Sequence, residues 1–204
     1  MKRGIFITFE GGEGSGKSTQ IRFVETYFRK KRRNVILVRE PGSTSIGEEI
    51  RNLLLDPKNK EMSVRTELFL YLAARAQLVQ ERILPALKKG YVVISDRFED
   101  STLVYQAFAG GLPLKEVTEA AKAARGNLLP DITFLLDVSV EEGLKRSGRA
   151  DRMEQKSLNF HRRIRKGYLT LAKQNKKRFV VISSEKSKED VQERIKKELN
   201  RVFG

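Results

Sequence analysis

The 204-residue chain has no cysteine and no tryptophan, a single histidine and only five prolines. Lacking thiols, it has neither a disulfide framework nor a thiolate metal site, and a zinc site built around His161 finds no soft partners. His161 therefore reads as an ordinary helix-surface residue. No stretch approaches the run of about 18 apolar residues that a membrane-spanning helix needs. The N-terminus opens on strand-like sequence and not on a signal peptide, so a soluble, cytoplasmic protein without a membrane partner is expected. Acidic residues are in deficit, 26 against 41 basic ones, for a formal charge of +15. Such an excess suits polyanions. Much of it, however, is interleaved with Glu and Asp along residues 186–201, the pattern of an ion-paired solvated helix, so no nucleic-acid partner is expected. The length fits one domain, 1–204, which at this size buries roughly 70% of the surface its unfolded chain exposes.

What is present begins at residues 10–20, E-G-G-E-G-S-G-K-S-T-Q. They contain Gly11-x-x-x-x-Gly16-Lys17-Ser18, the P-loop pattern, with Gly12, Glu13, Gly14 and Ser15 inside it and Thr19 after it. Glycines let the backbone curl so that successive N–H groups face a polyphosphate; Lys17 reaches the terminal phosphates and the Ser18 hydroxyl suits magnesium. Context supports the motif. An apolar, β-branched run at residues 4–10 precedes it and helical spacing at 21–28 follows, giving strand, loop and helix in the required order and a positive helix N-terminus at the phosphates. The net positive field also favours anionic nucleotides.

Further apolar strands are expected at residues 34–38, 91–96, 132–137 and 178–182, with helical patterns at 46–55 and 64–89. Continuous apolar strands alternating with helices indicate an α/β protein with a parallel sheet covered on both faces. Two segments read as mobile: polar residues 56–63, and 146–152, where arginines flank Gly148.

Phosphoryl transfer needs a magnesium carboxylate and cations that follow charge onto the transferred group. Asp96 and Asp137 each end an apolar strand. Asp96 has the stronger case because Arg97 follows it; Asp137 suits a structural role before a helix.

Several separated motifs then agree in order: 9–19, Arg39-Glu40-Pro41-Gly42, Tyr71-Leu72-Ala73-Ala74-Arg75, Asp96-Arg97 with Ser101-Thr102, Tyr105-Gln106, and Asp151-Arg152-Met153-Glu154. Together they resemble thymidylate kinases from about Gly4 to the end. The resemblance implies a P-loop NTPase fold with a five-stranded parallel sheet in the order 2-3-1-4-5. It also implies ATP as phosphoryl donor, Mg2+, dTMP as acceptor and a homodimer. On matching positions, Glu13 accepts from the acceptor sugar's 3′-hydroxyl. Arg97 grips the acceptor phosphate, with Arg39 and Arg51 as further candidates, since guanidinium forks bind phosphate bidentately. Tyr71 and Arg75, four apart on one helical face, stack on the pyrimidine and donate to it; read alone they would be core packing and a surface ion pair. Where Tyr71 stands the family more often has phenylalanine. Ser101 and Gln106 match base-contacting positions, and Tyr105 matches the ring set against the sugar's 2′ carbon, which penalises a ribose hydroxyl. Apolar residues Leu68, Leu72 and Leu103 fit either a subunit face or the core.

Some family members carry an arginine directly after the P-loop acid; here that place is Gly14. The resemblance then implies a short lid at about 146–153 that supplies the catalytic cation: Arg149, with Arg146 and Arg152 as rivals. The expected site thus joins Lys17, Arg97, Arg149 and Asp96 as catalytic groups, with Ser18 and Asp96 for the metal. A kinase for another nucleotide or deoxynucleoside and a nucleic-acid-binding ATPase are the alternative readings. A switch GTPase is disfavoured, since N-K-x-D and a post-strand D-x-x-G are missing.

Overall fold

A computed structural model describes residues 4–148 and 151–204. The apolar segments form strands β1 (Ile5–Glu10), β2 (Val35–Arg39), β3 (Val92–Asp96), β4 (Ile132–Asp137) and β5 (Phe179–Ser183). They pair in one all-parallel sheet, β2-β3-β1-β4-β5, the expected order. The three inner strands are buried almost throughout, which is why they read as unbroken apolar runs, whereas the edge strands β2 and β5 alternate in exposure.

Nine helices are found among the described residues: α1 (Lys17–Lys30), α2 (Ser45–Leu55), α3 (Val64–Leu78), α4 (Leu84–Lys88), α5 (Glu99–Thr102), α6 (Leu114–Arg125), α7 (Val140–Ser147), α8 (Leu158–Gln174) and α9 (Lys188–Phe203). One side of the sheet, carrying Ile7, Phe9, Ile94 and Phe134, packs on Ile21, Val24 and Phe28 of α1 and Val191, Ile195 and Leu199 of α9. Strand alternation turns Phe6 and Val93 to the other side, onto Leu78, Val79 and Ile83. Leu68, Leu72 and Leu103 are interior there, in a cluster with Leu135, Ile164 and Tyr168, so core packing accounts for them.

The helical pattern at 64–89 is continuous but contains a π-helical turn, Val79–Ile83, between α3 and α4. Pro85 follows at once; it has no amide to donate and its ring crowds the carbonyl four residues earlier, which a widened turn relieves. A second π-helical segment, Leu103–Ala109, continues α5 and carries Tyr105 and Gln106. Such wide turns recur at functional sites.

Register places the site. Phe9 pairs with Asp96 across β1 and β3, and Arg39 pairs with the same Asp96 across β2 and β3. The carboxyl ends of these strands therefore emerge side by side where the phosphate loop leaves β1, the location at which open parallel sheets bind ligands.

Candidate active site

The loop from Gly11 to Gly16 turns through left-handed conformations at Gly14 (φ 63°) and Gly16 (φ 87°), which side-chain-bearing residues adopt at a cost. Gly14 is also crowded. A methyl group there would lie 2.0 Å from the Gly143 carbonyl oxygen of α7, and one on Gly143 would lie 2.4 Å from the Glu13 carbonyl oxygen. Two glycines thus let α7 and the loop pack backbone against backbone, and an arginine at position 14 has no room. Helix α1 starts at Lys17, inside the motif and earlier than the periodicity implied, with no acidic side chain in its first turn to neutralise its positive end. Lys17 Nζ donates to the Gly11 and Gly12 carbonyls at 3.2 and 3.0 Å. Burial, and then Arg97, push its pKa down, against the pull of Glu13, Asp96 and Glu10.

Arg97 stands at the centre. Its Nη2 donates to Glu13 Oε1 at 2.8 Å, its Nη1 lies within reach of Gly11 O, Ser101 Oγ and Tyr168 Oη, and its guanidinium covers the Tyr105 ring at 5.1 Å. Burial disfavours its charge, but Glu13, Tyr105, Tyr168 and Asp96 outweigh that and hold it firmly cationic. Glu13 also accepts from Tyr105 Oη at 2.6 Å. Burial would raise its pKa, yet Arg97, Lys17 and that hydroxyl hold it down at about 2. An acid in a phosphate loop is tolerable here because its charge is matched before any phosphate arrives.

One cavity of about 530 Å³ is lined by every described site residue named from the sequence, apart from Gly11, Gly12 and the rival lid cation Arg152. That volume suits a nucleotide-sized ligand. Arg39 and Arg51 both reach it, Arg39 Nη2 bonding Glu48 and Arg51 Nη1 the Pro41 carbonyl. Gln106 lines it while its amide donates to Glu67 at 3.3 Å. Arg146 lines it from the end of α7, donating to Glu142 Oε1 and Ser184 O. Arg149 lies outside the described residues. Arg152 turns inward: Nε donates to Leu54 O at 2.8 Å and Nη1 to Glu67 Oε1 at 2.6 Å, a buried ion pair that removes it from the rival cations.

Two readings change, those of Arg75 taken alone and of His161. Arg75 is no surface residue; it is 1% exposed and paired with Glu40 through Nε at 2.8 Å and through Nη2. Burial raises the pKa of Glu40, and Arg75 opposes the rise. Arg75 Nη1 has no hydrogen-bond partner among the described residues. His161 is buried behind the loop, beside Glu13 and Tyr168 in a second, small cavity. Asp137 is held bidentately by Arg165 at 2.7 and 2.9 Å, which leaves Asp96 as the strand-end acid with a free oxygen: its Oδ1 is buried without a partner among the described residues. Thr102, part of the Ser101-Thr102 motif but given no role from the sequence, also lines the cavity, and its buried Oγ1 has no partner among the described residues. Sequence reasoning did not single out Glu10 and Tyr168, which only the fold brings to Arg97.

The donor set fits magnesium in the manner of a substrate-held ion. No cluster of three His, Cys, Asp or Glu side chains that could hold a metal occurs among the described residues, whereas the Ser18 hydroxyl and the orphaned Asp96 oxygen flank the phosphate loop, and Mg2+ is normally held by one or two such groups plus phosphates.

A phosphate loop at the carboxyl edge of a 2-3-1-4-5 parallel sheet, facing an arginine-lined cavity, defines a P-loop phosphotransferase. Residues 9–195 match the family model for thymidylate kinase. Thymidylate kinases of Thermoanaerobacter sp. (strain X514) and Symbiobacterium thermophilum are 48% and 47% identical, over 88% and 98% of this chain and 89% and 94% of their own. The crystal structure of thymidylate kinase from Ehrlichia chaffeensis superposes with a TM-score of 0.80 at 33% identity, covering 98% of this chain and 99% of that one. The chain belongs to the thymidylate kinase family.

Proposed function

We propose that the chain transfers the γ-phosphoryl group of ATP to dTMP, giving ADP and dTDP, a step that supplies dTTP for DNA synthesis. The observation that carries this reading is Glu13: a carboxylate inside the phosphate loop bonded to both Arg97 and Tyr105, so that donor and acceptor residues share one cavity. In-line transfer forms a bond from an acceptor phosphate oxygen to the γ-phosphorus as the bond to the β-bridging oxygen breaks. No general base is needed, because the acceptor phosphate is already anionic. Lys17 and the α1 N-terminus draw charge toward the departing ADP; Arg97, with Arg39 and Arg51, holds the acceptor phosphate. Ser18 and Asp96 would hold magnesium, which when bound would neutralise charge on the donor phosphates.

Tyr71 stacks on the pyrimidine, Arg75 donates to it through Nη1, and Ser101 and Gln106 flank it. Tyr105 orients Glu13 toward the 3′-hydroxyl and leaves no space for a 2′-hydroxyl. Because the crowding at Gly14 excludes an arginine there, the transition-state cation comes from the short lid, Arg149 in first place and Arg146 in second. The active form is a homodimer built on α2 and α3, which pack together and expose Leu53 and Phe69, the latter at 59%.

Labelled γ-phosphate provides the test. With ATP, magnesium and dTMP, label should move into dTDP in step with ADP formation; label released only as inorganic phosphate would overturn the assignment.

A further inference from the structure

Arg97 sits at φ 71°, a left-handed backbone conformation that a long side chain adopts only when its surroundings impose it. The backbone restraints come from both sides. The Arg97 amide donates to Phe9 O at 2.9 Å, and the next amide, of Phe98, donates to Glu10 Oε1 at 2.8 Å. The side chain is restrained separately. Tyr168 projects from α8, is 1% exposed, and places its hydroxyl 2.7 Å from Ser101 Oγ, 3.0 Å from Glu10 Oε2 and 3.1 Å from Arg97 Nη1. Ser101 Oγ donates in turn to the same Glu10 oxygen at 2.7 Å. Glu10 is fully buried at the end of β1. A carboxylate there, two hydroxyls and the guanidinium edge form a closed bracket in which each polar atom has a partner.

We propose that Tyr168 is a positioning residue for Arg97: with Ser101 and Glu10 it fixes Nη1 from behind, so that the opposite edge of the guanidinium faces the cavity for an acceptor phosphate. This rests on the assignment of Arg97 to the acceptor phosphate. A rotamer-rich arginine left unrestrained loses entropy on binding, and pre-orientation removes that cost. Tyr168 and Glu10 do not line the cavity, so losing the Tyr168 hydroxyl acts only through Arg97 and weakens one ligand selectively.

The test is calorimetric binding of dTMP and of ATP to four proteins: wild type, Tyr168→Phe, Arg97→Ala and the double variant. Phenylalanine keeps the ring and the core volume and deletes only the hydroxyl. Tyr168→Phe should weaken dTMP about tenfold, the scale of one hydrogen bond to a charged group. ATP binding should stay within about twofold. In the Arg97→Ala background the same change should cost nothing further, because its target is gone. An equal loss in both backgrounds, or no loss in wild type while Arg97→Ala weakens dTMP, overturns the positioning role. Undiminished dTMP binding by Arg97→Ala overturns instead the reading of Arg97 itself. If Tyr168→Phe does not fold, Glu10→Gln compared at pH 8, where the Glu10 carboxyl is ionised, keeps the shape and deletes the charge of the bracket and carries the same comparison and the same outcomes.

Discussion

Replacing Gly14 with alanine tests whether the phosphate loop and α7 pack as described. The added methyl would meet the Gly143 carbonyl oxygen at 2.0 Å, its carbonyl carbon at 2.8 Å and Arg146 Cβ at 2.9 Å, while the backbone is at φ 63°. The obstacle is mostly backbone, which cannot swing aside as a side-chain tip would. A left-handed conformation costs a non-glycine residue about 1–2 kcal/mol, and overpacking a tight contact costs about 1–3 kcal/mol more. The sum, about 2–5 kcal/mol, corresponds to a fall in Tm of about 4–20 °C for a domain of this size. Gly12→Ala is the control, since nothing lies within 4 Å of its methyl position; its Tm should stay within about 2 °C of wild type. Scanning calorimetry of the three proteins decides. Gly14→Ala melting with wild type, or Gly12→Ala losing as much, would refute the packing argument and with it the steric reason for placing the catalytic arginine elsewhere.

Glu10 should make stability fall with pH. Burial first, and then Asp100, raise its pKa from 4.5 to about 7 despite hydrogen bonds from Ser101 and the Phe98 amide. The folded state therefore holds a proton that the unfolded state releases; this contribution is fully present below pH 4.5 and is lost as pH rises through about 7, on the order of 3 kcal/mol. Denaturant titrations from pH 4.5 to 8 should show a shallower decline in Glu10→Gln, and parallel curves would refute the account. Arg75→Ala, which strands Glu40 in the interior, should cost about 3–5 kcal/mol by the same titrations, while Glu40→Leu with Arg75→Met restores most of it without restoring dTMP binding. A loss under about 1 kcal/mol for Arg75→Ala would show that the pair is not buried as described. Arg149→Ala should lower kcat at least a hundredfold with dTMP binding nearly unchanged, as loss of a transition-state cation does; an unchanged kcat in steady-state assays removes Arg149 from the chemistry.

The strands and the phosphate loop were legible because their signals are local: residues 132–137 form a strand with the bounds their apolar run implies, and Gly11 to Ser18 carry their chemistry in consecutive residues. What could not be read is what the fold brings together from afar. Tyr168 is 71 residues from Arg97, Arg75 is 35 from Glu40, and Arg152 is 85 from Glu67. An arginine on a helix gives no sign of whether its partner is a neighbour one turn away or a buried acid in another element, so Arg75 read by itself suggests a surface ion pair and Arg152 a rival lid cation, when both are interior. His161 misled for the same reason: helical spacing alone does not say that its face meets the back of the phosphate loop. Nor could sequence say that Arg165 occupies both Asp137 oxygens while Asp96 keeps one without a partner among the described residues, a difference that exists only in three dimensions.

Coupled ADP release with ATP and magnesium, comparing kcat/KM for dTMP, dUMP, the ribonucleotide of thymine, dCMP, AMP and GMP, decides whether this cavity is a dTMP site. dTMP should lead, with the ribonucleotide penalised by the Tyr105 ring. Turnover favouring another monophosphate would contradict the roles of Tyr71, Arg75 and Tyr105 while leaving the phosphate-loop chemistry standing, and ADP release independent of any acceptor would contradict the kinase assignment itself.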